Sequence, residues 1–330
     1  MKRGRWIRAV VIAVLMCPRA LAGQERSYPV IDVHLHAFPA DFLGPPPLSI
    51  CAPFERWVAV DPRVGLSEQA LNPDSCKQPF QSPGTDEELM RRTLEELERL
   101  NVVGVLSGPL PVVERWKAAS PDRLLLPGLL FSVGDGPSPE EFRELVRSGR
   151  VAVLGEVLNQ YAGIAPDDSL FEPYLAIAEE LDIPVAIHLG PGPPGTAYRA
   201  TPAYRARFGN PLLLEDVLVR HPRLRIWAMH AGWPLADEMI EVLNAHPQLR
   251  VDVGILSYGY PRTDFHAYLK RLVDAGFVDR ILFGSDQMLW PQAIDRAIAG
   301  IESADFLTKE QKRMILHDNA ARFLRLDVRQ

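Results

Sequence analysis

Eight short, nearly continuous apolar runs recur along the chain, with helix-forming segments between them. The runs are 30–34 (VIDVH), 102–106 (VVGVL), 124–131 (LLLPGLLF), 151–156 (VAVLGE), 184–188 (PVAIH), 224–230 (LRIWAMH), 249–254 (LRVDVG) and 280–286 (RILFGSD). A strand with one wet face alternates apolar and polar residues, whereas an unbroken run is buried on both faces. Parallel strands covered by helices meet that condition. Eight βα units in succession predict an α/β fold, a single-domain (β/α)8 TIM-like barrel.

The intervening segments carry helix start signals. Thr85 precedes Glu88, and Ser169 precedes Glu172, at capping-box spacing. Ser138-Pro139-Glu140-Glu141 sets a cap, a first-turn proline and acidic residues in helical order. From Asp86, small or apolar residues at 90, 93, 94, 97 and 100 mark one helical face.

Residues 1–22 read as a secretory signal peptide. Lys2, Arg3, Arg5 and Arg8 precede the apolar run from Ala9 to Cys17, and Ala20-Leu21-Ala22 has the small-x-small form of a cleavage site. The run falls short of the ~20 apolar residues of a membrane span. The barrel domain is then 23–330, exported to the periplasm or secreted, with no stable membrane insertion after cleavage. The leader holds five basic residues and no acidic one, so its removal takes the formal charge from −6 to −11. An acidic protein is a poor nucleic-acid binder, and a small-molecule substrate is the expected partner. A homodimer stays open.

The barrel exceeds the typical ~250 residues of its class. The excess lies in a long loop insertion after strand 1, at 37–84, and in 191–210. Much of the proline sits there: 30 of 330 residues are proline, about 9% against a usual ~5%. The insertion also contains Cys51 and Cys76, the pair left once Cys17 departs with the leader. In an oxidising compartment they form a disulfide candidate, worth ~3 kcal/mol on the chain-entropy model.

Metal-binding side chains fall at the strand ends. His34 and His36 close strand 1, and residues i and i+2 of a strand share a face. Glu156 ends strand 4, His188 strand 5, His230 strand 6 and Asp286 strand 8. Barrel active sites are built at these C-terminal ends. Imidazoles and carboxylates together suit a divalent metal, zinc foremost, as one or two ions. His221 and His246 precede prolines at the opposite end, and His266 and His317 lie on helices, so these four read as packing or surface residues.

IDVHLHAFP (31–39), VLGEV (153–157), PVAIHLG (184–190), AMHAGWP (228–234), ILFGSDQ (281–287) and NAARFLRL (319–326) stand in an order that resembles the amidohydrolase superfamily. The resemblance is to the amidohydrolase-related group that includes aminocarboxymuconate semialdehyde decarboxylase. It implies a distorted metal-dependent barrel in which His34, His36, His188 and Asp286 are ligands. His230 then binds a second metal or acts on substrate, and Glu156 occupies the position of a bridging group. Relatives that decarboxylate commonly carry a glycine pair after the sixth-strand histidine, whereas this chain has Ala231-Gly232.

The leading expectation is a metal-dependent hydrolase acting on an amide, ester or lactone through a metal-activated water. Asp286 moves the proton and His230 steadies the developing charge. The alternatives are a metal-dependent non-oxidative decarboxylase or hydratase, and a catalytically inactive metal- or solute-binding barrel. Phe38, Tyr161, Trp233 and Trp290 are candidate walls of the substrate site, and Gln287 a candidate substrate contact.

Overall fold

The computed structural model describes residues 26–54, 61–63, 76, 79–198 and 201–326. The predicted leader, 1–22, and most of the middle of the 37–84 insertion lie outside the described residues. Eight strands form one sheet in sequential order: β1 (Val30–His36), β2 (Val102–Gly108), β3 (Leu124–Phe131), β4 (Val153–Val157), β5 (Val185–His188), β6 (Ile226–Met229), β7 (Leu249–Asp252) and β8 (Ile281–Leu282). Every neighbouring pair is parallel. The first and last strands meet where Val33 N–H donates to Phe283 O (2.9 Å) and Asp286 N–H to His34 O (2.8 Å). The predicted barrel is thus the observed one.

Helices pack between the strands: α1 (Asp86–Arg99), α2 (Leu110–Ala119), α3 (Pro139–Arg147), α4 (Glu172–Glu180), α5 (Glu215–Arg220) and α6 (Ala236–Ala245), then the single turn α7 (Leu256–Gly259), α8 (Arg262–Asp274) and α9 (Gln292–Glu302). Thr85 caps α1 by accepting the Glu88 N–H, and Ser138 and Glu141 form a reciprocal capping box on α3. Each such cap satisfies donors that the first helical turn leaves unpaired. Ser169 does not cap α4. That helix starts at Glu172 with Phe171 as its cap residue and no side-chain bond, because a turn bonded from Asp168 O to Phe171 N–H occupies the intervening residues.

Two apolar cores result. One lies between sheet and helices, with Trp116, Phe142, Phe171 and Phe265 fully buried. The other fills the barrel, from Ile31, Val33, Val103, Val105, Val153, Ala186, Trp227, Met229 and Leu282. A C-terminal helix, α10 (Lys309–Arg313) continuing through a wider turn into α11 (Asn319–Leu324), brings Ala320, Phe323 and Leu324 into this inner core. Phe323 meets Trp227 edge-on at 5.7 Å. In the insertion, Ser49–Ile50 pairs antiparallel with Phe80–Gln81, and Cys51 and Cys76 form a disulfide with Cα atoms 5.8 Å apart.

Strand β8 is shorter than the apolar run 280–286 predicts, and the reason bears on the site. From Phe283 onward the chain leaves regular pairing to bond irregularly with β1, which itself shifts register between Asp32 and Leu35. Gly104 of β2 makes room for that irregularity: a Cβ there would stand 2.1 Å from Asp32 O and 2.9 Å from Leu35 Cδ1. Gly104→Ala is therefore expected to destabilise the protein by about 1–3 kcal/mol, the range of core overpacking. A denaturant-unfolding midpoint unchanged from wild type would show that β1 can yield.

Candidate metal centre

The irregular stretch of β1 turns Val33 into the barrel core and His34 and His36 toward its mouth. The two imidazole centroids lie 5.0 Å apart. Gln287 fixes the second of them. Its side chain donates to His36 O (2.6 Å) and accepts from His36 N–H (3.0 Å), as a neighbouring strand would. His230 and Asp286 adopt left-handed backbone conformations, φ 58° and 56°. Such residues cost roughly 1–3 kcal/mol each and persist only where the surroundings impose them. Here Asp252 Oδ1 accepts the His230 N–H (3.1 Å), while the Tyr258 hydroxyl donates to Asp286 O (3.0 Å).

The six strand-end residues converge. His36 Nε2 lies 3.1 Å from Asp286 Oδ1 and 3.5 Å from Glu156 Oε2. His34 Nε2 lies 3.7 Å and 3.8 Å from the same two oxygens. Across the mouth, His188 Nδ1 meets Glu156 Oε1 at 2.7 Å and His230 Nε2 at 3.0 Å. All six side chains are buried. Two buried ring nitrogens, His34 Nε2 and His188 Nε2, have no hydrogen-bond partner among the described residues. Orphaned acceptors or donors in a polar, buried cluster are costly unless another group satisfies them. A divalent cation would do so, and this donor set suits one.

The hydrogen bonds around the rings set their tautomers. His34 Nδ1 faces Asp252 Oδ2 at 3.1 Å and His230 Nδ1 faces Gly254 O at 3.1 Å. A ring nitrogen opposite a carboxylate or carbonyl carries the proton, which leaves Nε2 of each neutral ring as the lone-pair side. Ser107 Oγ, 3.3 Å from His36 Nδ1, can donate or accept and so permits either tautomer. Burial drives the His34 imidazolium down, but the charges of Asp252 and Asp286 outweigh it and hold the ring well above its ordinary range. Burial and the facing His230 push His188 below its usual value, so that ring stays neutral. Burial raises the Glu156 carboxyl, yet hydrogen bonds from His188 and His230 and the nearby His34 ring prevail and hold it well below its ordinary range.

Asp252, at the end of β7, completes the arrangement and was not among the residues singled out from the sequence. Its signal was of the same kind, an acidic residue closing an apolar run. Oδ1 accepts from His230 N–H (3.1 Å) and Gly254 N–H (2.8 Å), and Oδ2 from Trp227 Nε1 (3.1 Å) and the His34 ring. Though near His34 and His230, Asp252 has both oxygens spent on donors, so it orients ligands rather than offering one. Asp32 plays a similar part, taking the N–H groups of His34 and Ser285 (3.0 Å each). Burial raises its carboxyl to about 6.

The expected substrate walls divide. Gln287 is fully buried with both amide atoms bonded to the His36 backbone, so it positions His36. Trp290 is buried too, its Nε1–H donated to Leu48 O (3.0 Å), and it packs the insertion onto the barrel. Phe38 stacks between His36 (4.5 Å) and Phe42 (4.0 Å). Tyr161 lies over His188 at 4.9 Å. Trp233 joins Pro191, Gly192 and Pro194 around a cavity of about 260 Å³. That cavity is at the mouth, because Gly190 abuts His230: a Cβ there would stand 2.8 Å from the His230 Cβ. His221 and His246 lie at the far end, as their His-Pro pairs imply, His221 between Glu172 (2.8 Å) and Glu179 (3.2 Å).

A family model described as Amidohydrolase matches residues 31–326. Comparison with curated proteins gives no match. Among solved structures, an uncharacterised TIM-barrel protein, Bb4693 from Bordetella bronchiseptica, is 21% identical, with a TM-score of 0.58 over 76% of this chain and 88% of its own. A probable 2-pyrone-4,6-dicarboxylic acid hydrolase from Acinetobacter baumannii is 15% identical, with a TM-score of 0.54 over 89% and 98%. The 5-carboxyvanillate decarboxylase LigW from Sphingomonas paucimobilis is 15% identical, with a TM-score of 0.52 over 91% and 99%. At these identities the likeness is one of fold, and it spans proteins with different named reactions.

If Asp252 orients rather than ligates, Asp252→Asn should leave the barrel folded and weaken divalent-metal affinity about 10–100-fold, the usual effect of losing a ligand's hydrogen-bond partner. Competitive metal titration measures it. Wild-type affinity in the variant would show that His34 holds its tautomer without the carboxylate.

Proposed function

The chain belongs to the amidohydrolase family, and from that premise we propose that it is a metal-dependent hydrolase cleaving an amide, ester or lactone bond of a small molecule. The observation that carries the reading is the pair of orphaned, buried ring nitrogens, His34 Nε2 and His188 Nε2, in a cluster with His36, Glu156 and Asp286. His34, His36, His188 and Asp286 would hold one divalent cation, zinc foremost, and Glu156 with His230 would complete a site for a second. Such a cation lowers the pKa of a bound water toward ~7 and polarises a carbonyl.

The remaining steps belong to the protein. Asp286 presents a carboxylate whose backbone is clamped on both sides, by His34 O and by the Tyr258 hydroxyl. It accepts the proton of the attacking water and returns it to the leaving group. His230 Nδ1 is committed to Gly254 O, so Nε2 is the atom turned into the cluster. Burial lowers its basicity, but Glu156 and Asp286 raise it by more. The ring can therefore carry a proton and donate a hydrogen bond to a developing oxyanion. The second reading, non-oxidative decarboxylation or hydration, uses the same residues with His230 as proton donor. Its support is the likeness to a decarboxylase.

We also read the protein as exported, on the leader at 1–22 and the Cys51–Cys76 disulfide. No helix among the described residues is long and apolar enough to cross a membrane. The decisive assay counts metal on purified protein, then measures hydrolysis of esters, lactones and amides beside CO₂ release from aromatic and unsaturated acids. Hydrolysis without CO₂ release is expected; the converse establishes the second reading, and a metal-loaded protein inert to both is a binding barrel. Asp286→Asn is the matching variant, because Asn also tolerates the left-handed conformation. Its circular dichroism should match wild type while turnover falls by about 10²–10⁴. Near wild-type turnover would remove Asp286 from the proton path.

A further inference from the structure

The loop after β4 is pinned by a set of backbone and side-chain hydrogen bonds. Leu158 N–H donates to Phe131 O (2.7 Å), Tyr161 N–H to Leu158 O (2.9 Å) and Ile164 N–H to Asn159 O (2.9 Å). Asn159 Oδ1 accepts the Val133 N–H (3.0 Å). Gln160 Nε2 donates to Gly190 O (3.0 Å) and to the Tyr204 hydroxyl oxygen (3.2 Å), tying this loop to the one after β5. The Tyr204 oxygen also accepts the Gly192 N–H (2.9 Å), which secures the edge of the mouth cavity.

Asn159 Nδ2 and Gln160 Oε1 are buried without a hydrogen-bond partner, and one further polar group, placed beside His188, is uncommitted. Tyr161 stands with its ring against His188 (4.9 Å) and Tyr204 (5.3 Å), and its hydroxyl makes no hydrogen bond among the described residues. It is half-buried beside groups that are fully enclosed. Burial, and then the nearby carboxylates of Glu156 and Asp286, hold the phenol well above its ordinary range, so the group is a donor throughout neutral pH. A loop tied down by these backbone and side-chain bonds that leaves a phenol donor open beside His188 is a preorganised binding element.

We propose that the Tyr161 hydroxyl is a second hydrogen-bond donor, beside His230, to the reacting oxygen of the substrate, set in place by Gln160 and Tyr204. No proton is transferred; the phenol binds the oxygen as negative charge gathers on it. The inference rests on the hydrolytic reading for its kinetic consequence, but its binding consequence can be read without turnover.

Tyr161→Phe removes no internal hydrogen bond and keeps both ring contacts, so metal content and melting temperature should match wild type. With an ester or lactone substrate, kcat should fall by about 10–100-fold while KM changes little. Affinity for benzohydroxamic acid, whose hydroxamate anion carries negative charge on oxygen as the reacting oxygen does when charge gathers on it, should fall by about fivefold or more by calorimetry. A wild-type enzyme that binds the probe yet turns over no ester, lactone or amide would defeat the hydrolytic reading, and the loss of probe affinity in Tyr161→Phe would still uphold this one. Unchanged probe affinity in the variant overturns it, as does a kcat within about twofold of wild type. A lowered melting temperature with wild-type kcat would assign Tyr161 to packing instead.

Discussion

The Asp252 carboxylate holds the mouth of the barrel together. It receives the indole of Trp227 from β6, the ring of His34 from β1, and the backbone of His230 and Gly254. Strands β1, β6 and β7 thus meet at one fully buried anion. Burial alone would raise its pKa, but the His34 charge and these donors prevail, and the group stays below the ordinary carboxylate range. The same contacts decide which nitrogen of His34 is left for chemistry. Structure and reactivity at this site are consequences of a single set of hydrogen bonds.

Around that anion the protein concentrates titratable groups that would repel or desolvate one another elsewhere. Carboxylates and imidazoles alternate in space, so nearly every one has an opposite or polarisable partner. The left-handed conformations of His230 and Asp286 belong to the same economy. Both residues stand where regular strand geometry would aim the side chain elsewhere, and hydrogen bonds to the backbone keep them turned inward.

Strand number, order and burial were legible because unbroken apolar runs have few other uses. The ligand candidates were legible because ionisable residues closing such runs stand out against them. Asp252 carried that same mark in LRVDVG and was passed over, since a lone acidic residue between valines has no partner visible in one dimension. Gln287 shows the converse: adjacency to Asp286 suggests substrate, while its hydrogen bonds, invisible in one dimension, run to His36, 251 residues earlier. Trp290 likewise serves Leu48 across the fold. The missing cap at Ser169 is a local case. Capping spacing favours a helix start without fixing it, and the turn ending at Phe171 used the same residues first. What sequence hid was long-range pairing, and the functional residues it hid are those whose partners are most distant.

The inner core includes Phe323, Ala320 and Leu324 together with Ile31 and Trp227. Those last residues come after every barrel strand in the chain. Until they are present, the end of the barrel away from the metal centre is open and Trp227 has a face in water. The indole that donates to Asp252 is the same one that Phe323 covers. The floor beneath the mouth is therefore finished only by the C-terminal helix: a chain interrupted before residue 320 would keep all six clustered side chains and lose the share of the inner core that Ala320, Phe323 and Leu324 supply.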